Sequence, residues 1–444
     1  MNSKAKVSLI NLGCSKNIVD SEIMLGMLDN AGYEIVLDEK AADIILINTC
    51  SFIQNAEKES VKVVMEQVID NPDKNIIIIG CLVQKHGQEL LEAIPEVKAI
   101  VGTSDIGNIV DIVDEVCSNH NKRYCKISSN PAFLQSDQVK RYHITMGPSS
   151  YIKISEGCDW RCTYCLIPDL KGKYRSRRIE SIVDEAKMLA RNGSSEIVLI
   201  AQDTTNYGYD IYNKLALVEL LSELEQIQAL QWIRLMYTYP KNITDELIDY
   251  ISYSKKVVKY LDIPLQHVHP DVLKAMGRPG INIENLLNNL RSKISNLAIR
   301  TCFIVGFPGE TEEHFDYLYN FVKDNKFERL GVFEYSKEKN TSAARLKNQL
   351  TAKVKKHRRK LLMELQHNIS FEKHRDMIGK TIDVLLETIS GSGSGTGRSY
   401  LDAPEIDGLV YIDSVAKSEY LPGDIIPVKI TKVTAYDLYG IIES

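Results

Sequence analysis

Nine cysteines stand at positions 14, 50, 81, 117, 125, 158, 162, 165 and 302. Three of them fall in one short run, Cys158-Asp-Trp-Arg-Cys162-Thr-Tyr-Cys165, a C-x3-C-x2-C pattern just after an apolar stretch. Three thiolates at this spacing wrap one loop around three irons of a cubane. Ordinary electron-transfer clusters supply four Cys ligands. A missing fourth ligand leaves one iron open to a substrate or cofactor. The competing readings are a zinc site, which would want a fourth Cys or His at similar spacing, and incidental thiols. Spacing, strand-end placement and the surrounding barrel pattern favour the open cluster.

Cys14, Cys50 and Cys81 are separated by 36 and 31 residues, which matches no zinc finger. Each follows an apolar run by one to three residues. The fold pattern leaves two readings: a second three-cysteine cluster, or buried free thiols, which are common. The odd total favours metal or redox chemistry over disulfides where thiols are kept reduced. Cys117, Cys125 and Cys302 read as structural.

These residues need elements to position them. Val7–Leu12, Ile44–Asn48, Ile76–Gly80 and Ala99–Gly102 read as buried strands. Ser21–Ala31, Lys58–Asp70 and Gln88–Ile94 between them read as helices. That alternation implies a doubly wound parallel sheet, whose ligands gather at the carboxyl ends of strands. Cys14, Cys50 and Cys81 then share one rim.

Residues 126–148 lose periodicity and read as a linker. Six further strands, Tyr151–Ile154, Glu196–Ala201, Trp232–Tyr237, Tyr260–Ile263, Arg300–Val305 and Arg329–Phe333, alternate with helical stretches. They predict a partial (βα)6 barrel of the TIM type, with its chemistry at the C-terminal strand ends. Gln202-Asp203-Thr204 ends the second strand, and Arg234 and Tyr237 lie on the third. Asp262 and Gln266 close the fourth, followed by His267 and His269. Gly306-Phe-Pro-Gly309-Glu310-Thr311 follows the fifth, where glycines let backbone approach a ligand. Each of these is also explained as a helix cap or tight turn, and the two histidines as supporting or surface groups.

A basic amphipathic helix is predicted from Thr351 to about His374. Short strands at Thr381–Glu387, Leu409–Ile412, Ile425–Ile430 and Ala435–Ile442 follow, predicting a small antiparallel β-barrel. Ser390–Gly397 (SGSGSGTG) is expected to form a long hairpin loop. The expected division is 1–125, linker 126–148, 149–370 with the basic helix, and 371–444.

With 444 residues, 44% hydrophobic and 25% charged, the chain is not a disordered, collagenous or small disulfide protein. No apolar run approaches the roughly 20 residues that span a bilayer. Leu12-Gly13-Cys14 faintly resembles a lipoprotein cleavage site, but Asn11 breaks the preceding apolar stretch. A cytoplasmic protein is expected. Net charge is −5, and residues 371–444, with seven Lys+Arg against twelve Asp+Glu, carry all of it.

The C-x3-C-x2-C loop, with Tyr164 before its third cysteine, resembles the signature of radical S-adenosylmethionine (SAM) enzymes. The segments Leu12-GCSKNIVDSE22, Asn48-TCSFIQNAEKES60 and Gly80-CLVQ84 resemble the N-terminal domain of the radical-SAM methylthiotransferases. The resemblance covers essentially the whole chain, and the C-terminal barrel is similar to the TRAM module used for substrate recognition. It implies two 4Fe-4S clusters, one on Cys158, Cys162 and Cys165 that binds SAM, and an auxiliary one on Cys14, Cys50 and Cys81 that handles the inserted sulfur. Tyr164, Gln202, Asp203, Arg234, Gly306, Gly309 and Glu310 become the candidate SAM contacts. A deoxyadenosyl radical then opens an unactivated C–H bond, and a second SAM supplies the methyl group.

Two branches of the family compete. Ile200-AQDTTNYG208, Tyr260-LDIPLQH267 and Arg398-SYLDAPEIDGLVYI412 resemble the branch that acts on the β-carbon of an aspartate in small-subunit ribosomal protein S-twelve. The other branch modifies a tRNA adenosine beside the anticodon. A non-catalytic iron–sulfur protein is the reading outside the class. Charge favours the protein substrate, because a tRNA-binding barrel should be basic. Here Asp402, Glu405, Asp407 and Asp413 cluster, which suits a basic ribosomal protein; a merely solvated face is the other reading. The basic helix at Lys353–Lys360 is available for ribosomal RNA, and a flavodoxin or ferredoxin is the expected reductant. Asp169, Arg178, Cys302, Lys337 and Ser342 depart from the family pattern without removing a cluster ligand.

Overall fold

The computed structural model describes residues 4–51, 53–119, 122–129, 131, 133–135, 141–144, 147–415 and 419–443. The expected linker therefore lies partly outside the described residues, at 130, 132, 136–140, 145 and 146. The chain forms two units. The first takes Met1–Met146, Ser155–Arg161 and Cys165–Arg177; the second takes Gly147–Ile154, Cys162–Tyr164 and Arg178–Ser444. Among the described residues no helix is long and apolar enough to cross a membrane.

The first unit is built on a parallel sheet of β1 (Lys6–Asn11), β2 (Glu34–Ile35), β3 (Ile44–Thr49), β4 (Asn75–Gly80), β5 (Ala99–Val101) and β6 (Tyr124–Lys126), in the order β2-β1-β3-β4-β5-β6. Its central strands read as unbroken apolar runs because helices cover both faces. Ile44 and Leu46 belong to the core with Met24, Leu28 and Val113, while Ile45 and Ile47 belong to the one with Val64 and Val68. Strand order reverses between β1 and β3, the point where a doubly wound sheet opens a crevice at its carboxyl edge.

The first helix runs Ser15–Asn30, six residues earlier than its pattern predicts. The opening turns hide because they bury polar residues, each satisfied by a specific partner. Asn17 donates to the Thr49 carbonyl, Asn48 donates to Ser21 Oγ, and Glu22 takes Arg141. β2 and β6 were too short to leave a periodicity.

In the second unit β7 (Ser149–Lys153), β10 (Glu196–Ile200), β11 (Trp232–Leu235), β12 (Val257–Asp262), β13 (Ala298–Val305) and β14 (Arg329–Glu334) form a six-stranded parallel sheet in the order β14-β13-β12-β11-β10-β7. The short antiparallel pair β8 (Ser155–Glu156) and β9 (Arg175–Ser176) belongs to the first unit. The expected basic helix spans Ala352–Arg375, with Leu362 and Ile369 in the barrel core. Its basic face is divided: Arg358 turns inward to Glu310 and Glu312, whereas Lys353, Lys356 and Lys360 are exposed.

The last domain is a closed barrel, β15 (Thr381–Ile389), β16 (Gly395–Ser399), β17 (Val410–Asp413), β18 (Ile425–Val433) and β19 (Leu438–Ile442), in the order β15-β16-β17-β19-β18. All its seams are antiparallel except β17 with β19, which is parallel. The serine–glycine stretch is not wholly a loop. Gly395-Thr-Gly397 belongs to β16, and a Cβ at Gly397 would meet the Leu385 carbonyl at 2.3 Å, so glycine is what the close strand packing admits.

Candidate metal centres

Each auxiliary cysteine sits just beyond a strand of the first sheet. Cys14 caps the helix Ser15–Asn30, Cys50 follows β3, and Cys81 opens the short helix Cys81–His86 directly after β4. Hydrogen bonds hold the rim. Thr49 Oγ1 donates to the Ile79 carbonyl at 2.6 Å, and the Cys50 N–H donates to Ser60 Oγ, which donates back to the Cys50 carbonyl. Cys81 is buried against Leu166 and Leu170. Burial pushes its thiol up to about 12; Lys171 works against that shift, and Cys50 and Cys14 add to it. All three thiols therefore belong to one electrostatic neighbourhood. A metal binding there would displace the Cys81 proton.

Lys171 was not found from sequence. Its ammonium lies 3.3 Å from Asp20, on the helix that starts after Cys14, and 3.7 Å from Glu156, two residues before Cys158. The signal was a lysine inside the buried turn Ile167–Lys171 immediately after the cysteine loop.

The C-x3-C-x2-C loop is pinned along its length. Gly157 has φ +82°, and a Cβ there would meet the Lys173 carbonyl at 2.1 Å. That close approach lets the Cys158 N–H donate to the Gly172 carbonyl at 3.1 Å. Asp159 accepts from the Tyr174 N–H, and Cys165 Sγ accepts from the Ile167 N–H at 3.4 Å. In the second unit Arg278 Nη1 stands 3.7 Å from Cys162 Sγ. Tyr164 packs on the apolar group of Val272, Met276, Phe307, Tyr335 and Ala343.

That group brings Tyr164 to the glycine loop. Gly306 and Gly309 both have positive φ, +72° and +85°, and a Cβ at Gly306 would strike the Lys355 side chain. Glu310 is buried. Its Oε2 accepts from the Gly306 and Phe307 N–H groups and its Oε1 from Arg358, so the carboxylate builds the loop from inside. Asp203 is also buried and caps the turn Thr204–Asn206, accepting from Thr205 and Asn206. It fixes the loop that follows Gln202.

Arg234 is not with these strand-end residues, which corrects the expectation of a SAM contact. Its Nε pairs with Glu196, the first residue of β10, at 2.8 Å, and its Nη1 donates to the Tyr400 carbonyl at 2.8 Å. Its guanidinium stacks over Tyr260. Arg398 meets the other Glu196 oxygen at 2.5 Å. Burial would raise Glu196, but the Arg398 and Arg234 guanidiniums bring it down to about 2. The arginine serves the seam between the parallel sheet and the closed barrel.

The acidic group of the last domain needs a matching correction. Asp402 is 1% exposed and paired with Arg329; the Asp407 side chain is 4% exposed and faces Arg300 and the Tyr260 hydroxyl. Those charges are spent internally, and Glu405 and Asp413 are the members left exposed. Charge summed along sequence does not separate a surface carboxylate from one buried against an arginine of another domain.

His269, Asp271 and His314 bring ligand atoms within 4.8 Å of one another. Both imidazoles are occupied as caps: His269 Nδ1 accepts from the Asp271 N–H and His314 Nδ1 from the Thr311 N–H. That fixes the neutral ring proton on Nε2, the tautomer a metal would have to displace. His267 is buried, its Nδ1 accepting from the His269 N–H.

Residues 6–102 match Uncharacterized protein family UPF0004, residues 152–322 the Radical SAM superfamily, and residues 378–442 the TRAM domain. The chain is 47% identical over 438 residues to the ribosomal protein uS12 methylthiotransferase RimO of Caldanaerobacter subterraneus subsp. tengcongensis, covering 98% of this chain and 99% of that one. It is 45% identical over 443 residues to the protein of that name from Synechocystis sp., covering 99% and 98%. In fold it is similar to the radical SAM methyltransferase TsrM from Kitasatospora setae, with a TM-score of 0.56 at 15% identity over 74% of this chain and 73% of that one.

Proposed function

The chain belongs to the RimO family of ribosomal protein uS12 methylthiotransferases, and from that premise we propose that it inserts a methylthio group at the β-carbon of an aspartate in ribosomal protein S12. The observation that carries the reading is the pair of three-thiol sets, one on the first sheet's carboxyl rim and one on the loop after β8. Cys158, Cys162 and Cys165 would hold a SAM-binding 4Fe-4S cluster, and Cys14, Cys50 and Cys81 a second. Thiolate donors suit iron–sulfur clusters. When bound, SAM would supply the deoxyadenosyl radical on receiving an electron from the first cluster, a second SAM would supply the methyl group, and the auxiliary cluster would hold the inserted sulfur.

The chain's own side chains do the rest. Tyr164 packs with Phe307 and Met276 in one apolar group, a lining that would keep water from a radical. Glu310 and Arg358 hold the Gly306–Gly309 backbone turn, and Asp203 caps the turn Thr204–Asn206 that follows Gln202. Tyr164, Gln202, Asp203, Gly306, Gly309 and Glu310 are thus the proposed SAM surroundings. Domain limits of 1–125, 149–370 and 371–444, with a linker at 126–148, remain part of this proposal. Glu405 and Asp413 are the proposed contacts to the basic substrate, Lys353, Lys356 and Lys360 face ribosomal RNA, and the protein works in the cytoplasm with a flavodoxin or ferredoxin as reductant.

The test is anaerobic turnover with SAM and a reductant on two substrates, a peptide spanning the S12 target loop and a tRNA anticodon stem-loop. The expected product is the methylthiolated peptide. Modification confined to the RNA would move the chain to the other branch, and no deoxyadenosine from either would end the enzymatic reading.

A further inference from the structure

We propose that Arg278 is a positioning residue for the first cysteine loop, holding the Cys162 thiolate in its ligating orientation and donating a charged hydrogen bond to it. The inference rests on the reading of Cys158, Cys162 and Cys165 as cluster ligands.

Arg278 is 4% exposed, and its guanidinium is held on three sides. Nη2 donates to the Pro264 carbonyl at 2.8 Å, Cζ lies 4.3 Å from the Tyr239 ring centroid, and Nη1 donates to Cys162 Sγ at 3.7 Å. A buried cation gives up its water, and here Nη1 and Nη2 find their replacement partners in the Cys162 sulfur and the Pro264 carbonyl. The same stretch of chain grips the next residue. Thr163 Oγ1 donates to the Ala275 carbonyl at 2.8 Å, the Thr163 N–H donates to the Met276 carbonyl at 3.0 Å, and the Ala343 N–H donates to the Thr163 carbonyl at 2.8 Å. Cys162-Thr163 is thus clamped by the segment Ala275–Arg278, and the clamp ends on sulfur.

Two consequences follow from general chemistry. A hydrogen bond from a cation to a ligating thiolate stabilises the more negative, reduced state, and therefore raises the potential of the group it ligates. A lysine cannot replace the fork, because one ammonium cannot stack on Tyr239 while bonding both Pro264 and Cys162 in plane.

The test uses full-length protein reconstituted anaerobically with iron and sulfide. The potential of the cluster whose electron paramagnetic resonance signal SAM perturbs is titrated in wild type, Arg278→Gln and Arg278→Lys. The expected result is a shift to more negative potential in Arg278→Gln and a smaller shift in the same direction in Arg278→Lys. Melting of the apo-proteins reports whether each variant folds. A potential equal to wild type in both variants, or in Arg278→Lys alone if Arg278→Gln does not fold, overturns the proposal. A wild-type protein with no SAM-perturbed signal overturns the ligand reading, and the role of Arg278 with it.

Discussion

Lys171 Nζ stands 3.3 Å from Asp20 Oδ2 in an environment where both side chains are almost fully buried. The lysine leaves the turn that follows Cys165, and the aspartate lies one and a half turns into the helix that begins at Cys14. One buried ion pair therefore ties a segment from each cysteine set together within the first unit. Breaking such a pair by removing one partner costs about 3 kcal/mol or more. Lys171→Met should lower the apo-protein's stability by that order in urea, with Lys171→Arg recovering most of it. A Lys171→Met midpoint equal to wild type would show that the pair contributes nothing to the fold.

Separating the two cysteine sets gives the second prediction. Wild-type protein should hold about eight irons per chain after anaerobic reconstitution, and either triple variant about four. Cys158→Ala, Cys162→Ala and Cys165→Ala together should abolish deoxyadenosine formation. Cys14→Ala, Cys50→Ala and Cys81→Ala together should preserve it while eliminating the methylthiolated product. About four irons in wild type would leave the auxiliary cluster without support.

Gly157 offers a single-atom test of loop geometry. A methyl group at φ +82° would overlap the Lys173 carbonyl, so Gly157→Ala must displace the Gly172-Lys173 segment that receives the Cys158 N–H bond. Iron at the first loop should fall to the level of the Cys158→Ala variant while iron on the other set is retained. Full occupancy would mean the loop tolerates the shift.

Acid should unfold the second unit in two stages. Burial, reinforced by His269, His314 and Arg358, lowers His267 to about 3. A base held neutral in the fold but free to protonate when unfolded contributes stability that is lost as pH falls below its ordinary 6.5. Glu196, held at about 2 against an ordinary 4.5, contributes stability that is complete above 4.5 and lost as pH falls toward 2. The latter is on the order of 3 kcal/mol. His267→Asn should flatten the slope of stability between pH 6.5 and 4, and Glu196→Gln the slope below 4.5, in urea titrations across pH. Unchanged slopes would assign acid sensitivity elsewhere.

The four clustered acids should divide by role. Asp402→Asn, which loosens the Arg329 pair, should lower stability by about 3 kcal/mol. Glu405→Gln and Asp413→Asn should leave stability within about 0.5 kcal/mol while weakening peptide turnover through KM. If both surface variants keep wild-type KM, the acidic contact to the substrate is wrong.

What was legible in the sequence was everything local. Three cysteines in one short loop need no tertiary information to suggest an open cluster, and apolar runs such as Ile76–Gly80 announce buried parallel strands because helices cover both sheet faces. Cys14, Cys50 and Cys81 could be placed on one rim because strand ends in such sheets share an edge. The first turns of the helix Ser15–Asn30 were not legible, since their polar residues are buried by partners such as Thr49 and Arg141 that lie far along the chain. Arg234 and Asp402 were misread for the same reason. A charged residue in a sequence carries no mark of whether it meets water, a ligand or an opposite charge from another domain. Only the tertiary structure decides that, because the energy of a charge depends on what surrounds it, and its surroundings here are supplied by residues as distant as Arg398, 202 positions from Glu196.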